Sequence, residues 1–179
     1  MEREAEALVD RLCAKGRFCA TAELATYLSV TIVSNAVGLQ EQGRERIMGW
    51  SIGMFNCFGP LNERGRNAMP VLSEMMQYAR THAVPGKLKP GSWAEAIHSA
   101  AAAGDVPPEV VPVMMIDYMG PSLDTTIFGI SSAVWLFAKH PDQWDLVRDE
   151  PSLIASAINE VLRMEAPVQG FSRYVGARL

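Results

Sequence analysis

The sequence predicts a mainly α-helical fold, on the strength of three observations. Apolar residues recur at helical spacing in most segments, as at Ala5, Leu8 and Leu12 in the first one. Glycine or proline follows nearly every such segment, where a helix is expected to end. After Pro167 the chain changes character, and residues 168–175 alone are predicted to form an extended strand.

Composition excludes several classes of function. The chain has 179 residues and a net charge of -4, with 16 Lys and Arg scattered among 20 Asp and Glu, so no basic surface for nucleic acid is expected. The three cysteines form no CxxC pair and the three histidines have no ligand spacing, which indicates reduced thiols and no metal site. Residues 125–138 carry no charge but are too few to cross a membrane, which takes about 20 residues. A charged, amphipathic N-terminus favours a cytoplasmic location over secretion.

The first half of the chain predicts four helices. The first is amphipathic and ends at Gly16. The second, more apolar, ends at Gly38-Leu39, and the third runs from about Glu41 to Phe58 and is closed by Gly59-Pro60. The fourth runs from about Asn62 to His82.

The second half predicts one very long helix among shorter ones. A loop rich in Pro, Gly and Lys precedes a short helix, with Ser92 as its N-cap and Glu95 completing a capping box. Residues 107–139 are predicted to form one central helix, about 50 Å long at 1.5 Å per residue. Two further helices, in "HPDQWDLVRDEP" and "PSLIASAINEVLRME", precede the strand.

The central helix has two different stripes. Bulky apolar side chains form one stripe and predict a core contact: Leu123, Ile127, Ile130, Val134 and Phe137. Small or hydroxyl-bearing side chains form the other: Ser122, Thr125, Thr126, Gly129, Ser132 and Ala133. A small stripe predicts a groove that admits either a flat ligand or another backbone.

Pro121 interrupts this helix next to polar residues. It has no N–H and its ring collides with the carbonyl of Asp117, so the helix should bend or open there. Asp124 and Thr125 beside an opened turn suggest a relay that delivers protons to a buried site. Close helix packing, with the hydroxyls bonded back to their own helix, is the simpler interpretation of the same pattern.

Glu160 and Arg163 share one face of the next-to-last segment. Alone, such a pair is usually an exposed ion pair of little energetic weight. The order of the motifs along the chain is more informative than the pair itself. Four of them follow one another: "GPSLDTT", "AKHPDQW", the Glu-x-x-Arg helix and "APVQGFSR". This combination resembles the cytochrome P450 family, in particular its soluble bacterial members, most specifically from about residue 110 onward.

The resemblance implies a partial cytochrome P450 fold in one incomplete domain. Residues 1–106 would be pocket-roof and peripheral helices, residues 107–140 the long central helix, and residues 141–179 the following helices and strand. The implied cofactor is haem b with its iron, and the implied reaction inserts one oxygen atom from O2 into a small organic substrate. Electrons would come from a ferredoxin and its reductase, with no nucleic-acid or membrane partner.

The resemblance also implies a role for each site residue. Asp124 and Thr125 would be the catalytic acid and alcohol. Haem would lie against the following residues: Ser122, Thr125, Gly129 and Arg173, the last pairing with a propionate. The substrate pocket would include the following residues: Met119, Ser122, Leu123, Val168, Gln169 and Gly170. Glu160 and Arg163 would form a buried structural network.

Two departures from the family pattern are informative. The family usually has Ala-Gly where this chain has Pro121-Ser122, a variant similar to that of bacterial members that act on small aromatic acids. None of Cys13, Cys19 and Cys57 lies in the family's haem-ligating loop, so the sequence is expected to be an internal fragment. The alternative is an inactive helical remnant that serves only as a binding or interaction module.

Overall fold

The computed structural model describes residues 1–58 and 61–170, and the mainly α prediction is confirmed for these residues. Nine α-helices follow one another within them: α1 Glu2–Lys15, α2 Tyr27–Val37, α3 Arg44–Cys57, α4 Glu63–His82, α5 Trp93–Ala103, α6 Val111–Met119, α7 Pro121–Lys139, α8 Pro141–Asp149 and α9 Ile154–Met164. Short 3-10 turns, Pro108–Val110 and Pro151–Leu153, lead into α6 and α9. Within the described ranges, none of the helices is both long and apolar enough to span a bilayer.

Helix ends lie where the capping residues predict them. Helix α1 ends at Gly16 with φ 79° and α2 at Gly38 with φ 89°, backbone angles that glycine adopts without strain. Asn62 caps α4, its side chain accepting a hydrogen bond from Gly65 N at 3.0 Å, and Ser92 caps α5 by accepting one from Glu95 N at 3.3 Å. The Glu95 carboxylate accepts from Gly91 N, so the capping box closes one residue before the N-cap.

The second predicted helix has two parts. Residues Ala20–Thr26 form a π-helix that continues into α2 at Tyr27. The Thr26 hydroxyl donates to the carbonyl of Thr21, five residues back, at 2.8 Å, which follows the wider π-helical turn.

The predicted central helix is divided. Gly120 separates α6 from α7, so the single helix predicted over residues 107–139 is wrong in its continuity, although the predicted defect at Pro121 is present. The break follows from the missing N–H of Pro121, which cannot continue the hydrogen-bond ladder of α6. Proline is tolerated at the first position of α7, where no intrahelical donor is needed.

The predicted C-terminal strand falls mostly outside the described residues. Residues 168–170 have no regular secondary structure, and residues 171–175 are not among those described. The predicted Gly59-Pro60 end of the third helix also lies outside them.

Contacts divide the chain into two compact units, residues 1–127 and residues 128–179. The first unit has a core in which α3, α4 and α6 supply most of the buried side chains: Ile47, Trp50, Met54, Met75, Tyr78, Met115, Ile116 and Met119. Gly53 permits the close approach of α3 and α4, since a Cβ there would overlap Val71. Trp50 and Tyr78 pack with ring centroids 4.7 Å apart, and the Tyr78 hydroxyl donates to Gln42 O at 2.9 Å.

The second unit contains most of α7 together with α8 and α9. Phe137 on α7 packs edge-on against Trp144 on α8, with centroids 5.3 Å apart. Leu136 and Val161 are its buried apolar side chains, whereas Ile158 and Leu162 on α9 are exposed. Helix α9 is therefore buried along only one narrow face by the described residues.

Candidate functional site

The candidate site is built around the interruption between α6 and α7. Gly120 has φ -89° and ψ -76°, outside the usual helical values, and its N–H still donates to Ile116 O at 2.8 Å. Its carbonyl accepts from Leu123 N at 3.1 Å, a three-residue turn in place of the four-residue ladder. The helix axis is thus interrupted immediately before Ser122, Asp124 and Thr125.

Thr125 is half-buried and bonded to its own helix. Its hydroxyl donates to the carbonyl of Pro121, four residues back, at 2.7 Å. This is the back-bonding that the simpler interpretation predicts. The bond uses the hydroxyl hydrogen and leaves lone pairs on Oγ1 as acceptors for a further hydrogen bond.

Asp124 and Ser122 flank this hydroxyl on the first turn of α7. Both are half-buried, and Asp124 forms no ion pair with any other residue that the structure describes. A carboxylate near the N-terminus of α7 also interacts favourably with the helix dipole. The turn therefore presents an ionisable acid and an alcohol one residue apart, neither fully covered.

Met119 and Leu123, predicted to line the substrate pocket, are buried in the hydrophobic cluster of the first unit. Each is 0% exposed and belongs to the cluster that also contains Met54. Burial of these two apolar side chains is favourable for folding. In this chain the two side chains anchor the residues on either side of Gly120 in the core.

Gly129 lies in the second unit, on α7. A Cβ built there would meet one neighbour within 4 Å, Leu162 Cδ2 at 3.6 Å. On the first unit's part of the small stripe, Thr126 is exposed. Ser132, further along the small stripe, is 8% exposed, so the described side chains cover this stripe unevenly.

Glu160 and Arg163 form the predicted ion pair, but it is exposed. Two hydrogen bonds of 2.7 Å join the guanidinium to the carboxylate, and the side chains are 56% and 70% exposed. The Arg163 hydrogen bond lowers the pKa of Glu160, and the same contact raises the pKa of Arg163. The predicted burial of the pair is not found, because the described residues cover only the Val161 side of α9.

The remaining predicted residues are at the end of the described chain. Val168, Gln169 and Gly170 are exposed and have no regular secondary structure. Arg173, predicted to bind a haem propionate, lies outside the described residues. Among the predicted site residues that the structure describes, Ser122, Asp124 and Thr125 share the first turn of α7.

Sequence reasoning missed Ser51, on α3. It is 0% exposed, and its hydroxyl donates to the Gly120 carbonyl at 2.9 Å across 69 residues of sequence. A lone serine between Trp50 and Ile52 is the only signal in the sequence, and a hydroxyl in an apolar helix does not reveal its partner.

No metal cluster is evident in the described parts of the chain. Among these residues, no three His, Cys, Asp or Glu side chains are grouped as metal ligands. Cys13 and Cys19 are exposed, and Cys57 is half-buried near Gly65 O at 3.9 Å.

A separate groove of about 430 Å³ lies in the second unit, between the end of α7 and helices α8 and α9. Its walls are mostly apolar, with Leu136, Leu146 and Met164 among them, and Glu160 is the one predicted site residue that it includes. The groove therefore does not overlap the Gly120–Thr125 turn.

Comparison with known proteins shows similarity to one group, the cytochrome P450s. No protein-family model matches the chain. Cytochrome P450 CYP199A2 of Rhodopseudomonas palustris is 34% identical over 170 residues, which cover 94% of this chain and 41% of that protein. The steroid C26-monooxygenase of Mycobacterium tuberculosis is 23% identical over 177 residues, covering 96% of this chain and 47% of that protein. The chain thus spans less than half the length of these relatives.

Solved structures show the same fold. P450BioI, solved in complex with an acyl carrier protein that carries hexadec-9Z-enoic acid, superposes with a TM-score of 0.81 at 22% identity. The match covers 93% of this chain and 44% of that one. CYP109E1 of Bacillus megaterium, solved with testosterone, gives a TM-score of 0.77 at 19% identity, covering 90% and 44% of the two chains. Sequence relatives and folds agree over the shared segment, in which this chain is similar in sequence and in fold to cytochrome P450s.

Proposed function

We propose that this chain is one segment of a haem-thiolate monooxygenase and that its α6–α7 break forms the oxygen-activating side of the active site. The observation that carries the proposal is the Gly120–Thr125 turn. There the helix ladder is interrupted, the Thr125 hydroxyl is bonded to Pro121 O, and Asp124 lies beside it without an ion pair among the described residues.

The residues present fit a flat cofactor on this side of α7. Ser122 and Thr125 are small and half-buried, and Gly129 has only Leu162 within reach of an added Cβ. A bulky, tightly packed stripe would leave no room for a porphyrin. The cysteine thiolate that ligates the iron is proposed to come from a part of the complete protein outside this sequence, since none of Cys13, Cys19 and Cys57 lies in the family's haem-ligating loop.

Haem, when bound, supplies the binding and reduction of O2 that side chains alone cannot perform. The chain's own contribution is control of protons. Asp124, half-buried at the start of α7, takes a proton from the solvent side and passes it inward. Thr125 Oγ1, whose hydrogen is committed to Pro121 O, accepts a hydrogen bond from a water and so holds the proton donor in place.

The substrate is proposed to be a small organic molecule, with a small aromatic acid as the preferred class. Support comes from the Pro121-Ser122 variant described above, with the Ser122 hydroxyl available to the pocket. Val168, Gln169 and Gly170 would contribute to the pocket wall, and Arg173 to a haem propionate. Met119 and Leu123 would act by supporting the turn, since both are fully buried. A ferredoxin with its reductase is the proposed electron donor.

The test is to express the complete open reading frame that contains this sequence and to record the spectrum of the reduced protein under carbon monoxide. We expect the Soret position typical of thiolate-ligated haem. A reading frame that yields no such band, although the protein folds and receives haem, would favour the alternative of a non-catalytic interaction module. Product analysis with a panel of aromatic acids and matched neutral aromatics then tests the substrate class.

A further inference from the structure

Gly120 is held from two directions by α3. A Cβ on Gly120 would overlap the end of Met54, which is itself only 3% exposed. One turn earlier on α3, Ser51 donates its hydroxyl to the Gly120 carbonyl at 2.9 Å. The residue at which the central helix is interrupted is thus both packed against and hydrogen-bonded to the same neighbouring helix.

Ser51 differs from several other serines of the described residues in having a partner for its buried hydroxyl. Ser29, Ser34 and Ser131 have buried hydroxyl oxygens without a partner among the described residues, whereas Ser51 bonds a backbone carbonyl on another element. The carbonyl that it reaches also accepts from Leu123 N, the amide immediately before Asp124. A shift of that carbonyl would therefore move the first turn of α7.

We propose that Ser51 is a positioning residue that fixes the Gly120 carbonyl and thereby sets where Asp124 and Thr125 lie. Ser51 belongs to the core and acts through the backbone of the break. The effect of Ser51 on the structure of the turn does not depend on the function proposed above, whereas its effect on catalysis rests on that function.

Hydrogen exchange of the 179-residue chain tests the structural effect. Ser51→Ala removes the donor with little change in volume, and Ser34→Ala is the matched control, because it removes a buried hydroxyl that has no partner. We expect amides in residues 120–125 to exchange about fivefold faster in Ser51→Ala, the size of effect that a lost hydrogen bond produces. We expect no change in that segment for Ser34→Ala.

Amide exchange in α1 and α5 shows whether Ser51→Ala affects only the turn at residues 120–125 or destabilises the whole first unit. An equal increase in those helices, or no increase in residues 120–125, would overturn the proposal. If Ser51→Ala does not fold, Ser51→Cys replaces it, since a thiol of similar size is a weaker donor, and the same segments are compared.

The catalytic effect is measured in the protein from the complete reading frame, as product formed per reductant consumed. Ser51→Ala is expected to lower this ratio with the carbon monoxide band intact, and Ser34→Ala to leave it unchanged. An unchanged ratio in Ser51→Ala refutes the catalytic part of the proposal. Absence of the band in the unsubstituted protein refutes the proposed function, and the exchange result remains a separate test.

Discussion

Substitution of Leu123 by alanine tests whether this residue belongs to the core or to a pocket. Leu123 is 0% exposed in the hydrophobic cluster of the first unit, immediately after the break. Because it is buried there, the side chain is expected to stabilise the isolated chain. A pocket-lining side chain would be exposed when no substrate is bound, and its removal would cost little.

The expected cost follows from the burial. Leu123→Ala removes three carbon groups, at about 0.8 kcal/mol each for transfer to water, which gives about 2.4 kcal/mol. The cavity that remains adds to this, so we expect a loss of about 3 to 4 kcal/mol in the free energy of unfolding.

Urea unfolding followed by tryptophan fluorescence measures this loss. Trp50 is 3% exposed in the same core, whereas Trp93, Trp135 and Trp144 are each about half exposed. Ile52→Ala on α3 is the matched control, because Ile52 is 51% exposed and its truncation should change stability by less than about 0.5 kcal/mol. A Leu123→Ala change no larger than that of the control would refute the core assignment.

Three further predictions concern the hydroxyl, a buried phenol and the exposed ion pair. In the complete protein, Thr125→Val removes the alcohol beside Asp124, and we expect product formation to fall about a hundredfold with the carbon monoxide band retained; an unchanged rate would argue against the relay. Burial raises the pKa of Tyr78 above its ordinary value of 10.0, so its contribution to stability is complete below pH 10 and is lost as pH rises through the raised pKa. Urea midpoints measured across that range should therefore fall more steeply for the unsubstituted chain than for Tyr78→Phe, and equal slopes would contradict the assignment. Glu160→Gln should leave the urea midpoint of the 179-residue chain unchanged, because its ion pair with Arg163 is exposed; a clear decrease would show that the pair is buried after all.

Local features were predictable from the sequence because local chemistry determines them. Gly16 and Gly38 end their helices as predicted, and Ser92 caps its helix as predicted. The defect at Pro121 was also predictable, since the missing N–H is a property of that residue alone. What proline does not determine is how completely a helix divides, and here α6 and α7 are separate elements.

Features that depend on distant partners were not predictable. Helical periodicity places Leu123 on a bulky stripe but does not say whether a pocket or a core faces it. The exposure of Glu160 and Arg163 depends on which residues cover α9, and spacing gives no information on that. The Ser51–Gly120 hydrogen bond joins residues that are 69 apart in sequence, and no local sequence pattern predicts such a contact.

The proposed function requires the interrupted turn at the start of α7 to lie against a haem. A crystal structure of the protein from the complete reading frame, purified with haem, would show whether it does. We expect the porphyrin to lie along the small side chains of α7, with Ser122 and Thr125 on the oxygen-binding side. Protein side chains packed over Ser122 and Thr125, with the haem bound elsewhere, would contradict it.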